Sequence, residues 1–71
     1  MSEFLRRAED YRKRAAECEM LADWTPSPQV REHCLTAARR HRSMAEVEER
    51  RARDLAELNR PILARGSAVA A

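Results

Sequence analysis

The sequence predicts an all-α protein, an antiparallel two-helix hairpin that dimerises into a four-helix bundle. Three observations predict it. Small and apolar residues recur at alternating spacings of four and three along two stretches, and no alternating strand pattern competes with them. One strong break, Trp24-Thr25-Pro26-Ser27-Pro28, separates the stretches. The second stretch is much longer than the first, and large apolar residues collect in its excess.

The first helix is expected over about residues 3–23. Ser2 is placed to cap it, and Glu3 sits favourably in the positive first turn. Its inward row is Phe4, Ala8, Tyr11, Ala15, Cys18 and Ala22. The break follows because a residue before proline is pushed out of the helical region, which applies to both Thr25 and Ser27. Pro28 then suits the first position of a new helix, with Ser27 as its cap.

The second helix is expected over about residues 28–59, stopped by Pro61. Its inward row runs through Cys34, Ala38, His41, Ala45, Glu48, Ala52 and Leu55, and beside it lies a second row of Val30, Ala37, Met44, Leu55, Leu58 and Ile62, with Leu55 shared between the two. Residues 1–65 form one hairpin domain, and residues 66–71, from Gly66 onward, read as a frayed tail. Acid-first pairs such as Glu3–Arg7, Asp10–Arg14 and Glu49–Arg53 support the helices, at about 0.2–0.5 kcal/mol each.

A short turn makes the helices antiparallel neighbours. Facing positions then have numbers that sum to about 53: Ala22 with Arg31, Ala15 with Ala38, Ala8 with Ala45, and Tyr11 with His41 or Arg42. Alanine lets the helices approach closely but buries little area, so the hairpin alone hardly offsets its chain entropy. Past Glu49 the second helix has no first helix beside it, yet Leu55, Leu58 and Ile62 are there. A second copy is the expected cover, which makes Met44, Val47, Leu55, Leu58 and Ile62 the candidate dimer or partner interface. A helix from a different protein would fit the same edge.

The run Tyr11-Arg12-Lys13-Arg14-Ala15-Ala16-Glu17-Cys18-Glu19-Met20-Leu21-Ala22, followed by Arg31, Leu35, Ala38 and Met44-Ala45, resembles a family of short uncharacterised bacterial proteins. These share a Tyr-Arg-x-Arg-Ala-x-Glu-Cys-x-x-Leu-Ala opening. The resemblance covers about residues 8–50 and implies a helical hairpin; it carries over no statement about activity. Where that family carries Trp, this chain has His41.

Composition narrows the function. The 71 residues hold one domain, and 13 of the residues in the 44% hydrophobic fraction are Ala. Leu, Ile, Val and Phe number only 11. This excludes a transmembrane helix, a nucleotide-binding α/β domain and an enzyme with a large enclosed pocket. No nucleophile with a base and an oxyanion site is legible, so no catalytic residue and no cofactor is expected. The opening residues have no apolar signal region, so a cytoplasmic protein with reduced thiols is expected.

Three side-chain sets remain. Cys18 and Cys34 lie on facing rows near the turn, so a disulfide would close there in an oxidising setting. In a reducing one both are small inward hydrophobes. His33 and His41 are the only other soft metal ligands; His33 points away from the shared face and His41 lies two turns beyond Cys34, so no zinc site is expected. Thirteen of the 14 basic residues are Arg, which follows either from phosphate recognition or from codon usage. Folding brings Arg12 and Arg14 near Arg39 and Arg42, a belt that suits a nucleic-acid backbone, although acids interleave it. The sequence therefore favours a non-catalytic interaction or structural module, with an Arg-dependent nucleic-acid binder as the alternative.

Overall fold

The computed structural model describes residues 2–59. Two helices pack against each other, α1 from Glu3–Trp24 and α2 from Pro28–Leu58. Among the described residues there is no strand. The first helix runs one residue beyond Asp23, and the second ends at Leu58 with Asn59 as its cap. Pro61, Ile62 and the 66–71 tail lie outside the described residues.

Both helix starts are closed by serine. The Ser2 hydroxyl accepts a hydrogen bond from the Leu5 N–H at 3.1 Å, and the Ser27 hydroxyl accepts one from the Val30 N–H at 3.3 Å. Thr25 and Ser27 are both extended, with ψ of 136° and 120°, because each precedes a proline whose ring excludes the helical region. The Ser27 N–H bonds back to the Thr25 hydroxyl at 3.2 Å. Arg31 then ties the far side of the turn. Its Nε donates to the Ala22 carbonyl at 3.1 Å and its Nη2 to the Thr25 carbonyl at 3.0 Å. A cation thus satisfies carbonyls that the end of α1 leaves open, where the helix dipole also favours positive charge.

The core is a single row of alanines. Ala8, Ala15 and Ala22 on α1, and Ala38 and Ala45 on α2, are at most 2% exposed. They recur every seven residues, the period that keeps one seam facing a partner helix along a left-handed coil. No large side chain is fully buried among the described residues, so van der Waals contact between backbones and methyls carries the packing. The seam ends in a charge: Glu48 is 3% exposed. Its Oε1 accepts from the Arg51 guanidinium at 2.9 Å, and its Oε2 lies 3.9 Å from Arg7 across the interface. Oε2 has no hydrogen-bond partner. The row then opens up, because α1 runs out. Ala52 is only half-buried, and Leu55, expected in the inward row, is 41% exposed.

Candidate interaction face

The alanine seam divides the hairpin surface into two flanks of different character. On one flank α1 contributes the seven-residue row Leu5, Arg12 and Glu19. Arg12 crosses to Glu49 with two hydrogen bonds, Nε to Oε2 at 2.9 Å and Nη2 to Oε1 at 2.7 Å. Glu19 accepts a short hydrogen bond from Arg42. The two-bond Arg12–Glu49 pair has the geometry in which a guanidinium fork binds a carboxylate best, and the two pairs together close this flank with charge.

The hydrogen bond from Arg42 holds the Glu19 carboxyl below the usual range, and the one from Arg12 does the same for Glu49. The matching guanidiniums are raised by the same bonds. A carboxyl whose folded value is depressed stabilises the fold above its ordinary value, roughly 4.3, and that contribution disappears as pH falls through the folded value. Acidification from about pH 5 to about pH 3 should therefore lower the thermal midpoint followed by circular dichroism. The pair Glu19→Gln plus Glu49→Gln should flatten that slope; an unchanged slope would mean that these bonds do not hold the flank in solution.

The other flank is aromatic, thiol-bearing and only half covered. Tyr11 stacks on His41 with ring centroids 6.1 Å apart and 26° between planes. The Arg14 guanidinium lies 5.9 Å over the Tyr11 ring, and Arg7 lies 5.8 Å over Phe4. His41 therefore takes Tyr11 as its neighbour, while Glu48 turns to Arg51 and Arg7. A groove of about 310 Å³, lined by His33, Thr36, Ala37, Arg40 and His41, adjoins this stack, and a smaller one of about 110 Å³ lies between Arg7, Asp10, Tyr11 and Arg14.

Helical periodicity brings further residues to this flank. Phe4, Tyr11 and Cys18 form one row at intervals of seven, and Val30, Ala37 and Met44 form another. His41, Glu48 and Leu55 form a third. Met44, Leu55 and Val30 are 41%, 41% and 48% exposed, and Leu58 is 73% exposed. Of the interface residues expected from the sequence, Met44, Leu55 and Leu58 thus share this side, Val47 sits half-buried toward its outer edge, and Ile62 falls outside the described residues.

Cys18 and Cys34 are both free and half-buried. Among the described residues no three of His, Cys, Asp and Glu converge as metal ligands, and no described helix is long and apolar enough to cross a membrane. The basic belt is divided by the fold. Arg12 and Arg42 are neighbours on the ion-paired flank, each already engaged by a glutamate. Arg14 lies on the opposite flank over Tyr11. Arg39 bonds the Thr36 hydroxyl at 3.1 Å and faces Glu32 at 3.9 Å. What sequence reasoning missed is this separation into flanks, although the signal was available. Residues two apart on a helix, such as Arg12 and Arg14, point to opposite sides. No family model, curated protein or solved structure matches this chain.

Proposed function

We propose that this chain is a non-catalytic interaction or structural module that works as a homodimer, two hairpins completing a four-helix bundle. The carrying observation is the inequality of the flanks. One is closed by the Arg12–Glu49 and Glu19–Arg42 bonds, while the other continues the helix interface outward through the Tyr11–His41 stack into half-exposed apolar rows. A lone hairpin needs one inward row per helix, whereas a helix in a four-helix bundle has two neighbours and needs a second row beside the first. Here each helix has that second row, and the alanine core alone is thin.

Backbone binding to nucleic acid by Arg12, Arg14, Arg39 and Arg42 is the weaker reading, because two of the four are spent on glutamates. Light scattering should give twice the chain mass, and the melting temperature should rise with protein concentration, as mass action requires of a dimer. A monomeric mass with a concentration-independent melt would overturn the reading.

A further inference from the structure

The two thiols are the nucleophilic groups that the interaction reading leaves without a role, and the seam places them at one level. Cys18 lies seven residues after Tyr11 on α1, and Cys34 lies seven residues before His41 on α2. In an antiparallel pair those two steps run the same way along the axis. The Cys18–Cys34 level is therefore the Tyr11–His41 level moved one seam repeat toward the turn. At the Tyr11–His41 level the side chains meet across the interface, with ring centroids 6.1 Å apart.

The helices are closed on each other on both sides of the thiols. Away from the turn, Ala15 and Ala38 are at most 1% exposed. Toward the turn, Ala22 is 2% exposed, and its carbonyl accepts from Arg31 Nε at 3.1 Å. A seam of methyls sets helix axes about 8 Å apart. With Cα atoms on a cylinder of about 2.3 Å radius, row residues on the same side of such a seam come within about 6 Å of each other. That is the Cα separation a disulfide prefers. Both cysteines are free thiols and half-buried, so the open flank leaves each accessible to a small reagent. Among the described residues no third His, Cys, Asp or Glu converges on them, so the pair lacks the ligand set of a structural zinc site.

We propose that Cys18 and Cys34 form a reversible redox latch, which closes across the turn end of the hairpin by exchange with a low-molecular-weight disulfide. The thiolate of one cysteine attacks the small disulfide, forms a mixed disulfide and expels one small thiolate. The thiolate of the other cysteine then attacks the protein sulfur of that mixed disulfide and expels the second small thiolate. The protein loses two protons and two electrons, and the small disulfide is reduced to two thiols. Excess small thiol reverses both steps. The closed bond joins α1 to α2 and encloses the Thr25–Ser27 turn. Because the alanine core is thin, one such cross-link changes hairpin stability by a large fraction, and the latch turns the redox state of the surroundings into firmness of the hairpin.

The test treats the folded full-length chain with oxidised glutathione and reads intact mass, non-reducing electrophoresis and the thermal midpoint. The unaltered chain should lose two hydrogens, carry no glutathione and run as a single chain. Its midpoint should rise by about 10 °C at a fixed protein concentration, and dithiothreitol should restore the original value. Cys18→Ser and Cys34→Ser, each with native helicity by circular dichroism, should stop at the glutathione adduct and show no such rise. An unaltered chain that stays reduced, stops at glutathione adducts or links to a second chain would overturn the pairing. A Cys18–Cys34 bond that forms without raising the midpoint would overturn the latch, since the thiols would then meet only by distorting the hairpin.

Discussion

Ala15→Leu should lower the melting temperature by about 5–20 °C, while Ala16→Leu, one residue away, should leave it nearly unchanged. Ala15 has no exposed surface and faces Ala38, itself 1% exposed, in the middle of the seam. A leucine there must push the helices apart or adopt a poor rotamer. Overpacking of a tight core costs about 1–3 kcal/mol, and in a domain this small each kcal/mol moves the midpoint by roughly 4–8 °C. Ala16 lies on the outer surface of α1, where leucine is almost as good a helix former as alanine. Thermal melts of the two variants at one protein concentration make the comparison. Equal melts would show that the alanine row is not the core.

Leu55→Asp plus Leu58→Asp should convert the dimer to monomer at concentrations where the unaltered chain is dimeric. Within one hairpin these residues are 41% and 73% exposed, so a carboxylate there meets water and costs the isolated chain little. Against a second copy each charge would be taken out of water without a partner, a loss of several kcal/mol. At 1.4 kcal/mol per tenfold, about 3 kcal/mol weakens association by about a hundredfold. Because the lone hairpin's core is thin, helicity should fall together with mass. Leu5→Asp is the control. It has matching exposure, 39%, but shares a row with Arg12 and Glu19 on the ion-paired flank, so sizing should not change. If the double variant sizes and melts like the parent, the overhang has no part in association.

The hairpin itself was legible in the sequence because its signals are backbone signals. Two prolines after Thr25 and Ser27 fix the turn, and two serines close the helix starts. A seven-residue alanine period sets which side of each helix faces the other, and counting outward from the short turn sets the Ala15–Ala38 and Ala8–Ala45 levels. The flanks were less legible because they depend on side-chain direction. The cross-interface bonds Arg12–Glu49 and Arg42–Glu19 join residues whose numbers sum to 61 rather than 53, since long side chains reach a full helical turn or more beyond their own level. Periodicity placed Glu48 in the inward row but gave no sign that Arg51 and Arg7 would be its partners. Leu55 was placed inward by the same periodicity and is not covered, because burial also needs α1 to extend that far.

The alanine seam holds the helices together without saying where along each other they belong. Sliding α1 by seven residues would set Ala22 against Ala38, Ala15 against Ala45 and Ala8 against Ala52, three methyl-on-methyl levels in place of two. By seam contacts alone the slipped hairpin would be no worse than the native one. What distinguishes them lies outside the seam: the slip would part the Tyr11–His41 stack, and it would act at the ends as well. The slip would unwind helix on both sides of Pro26 to span the longer gap, break the Arg31 bonds to Ala22 and Thr25, and carry Arg7 away from Glu48. A single buried polar residue can specify register in a coil even where it costs stability. In this chain adhesion and addressing are therefore divided between different residues: the alanines supply the first in a repeating form that encodes no position, and Arg31 and Glu48 supply the second.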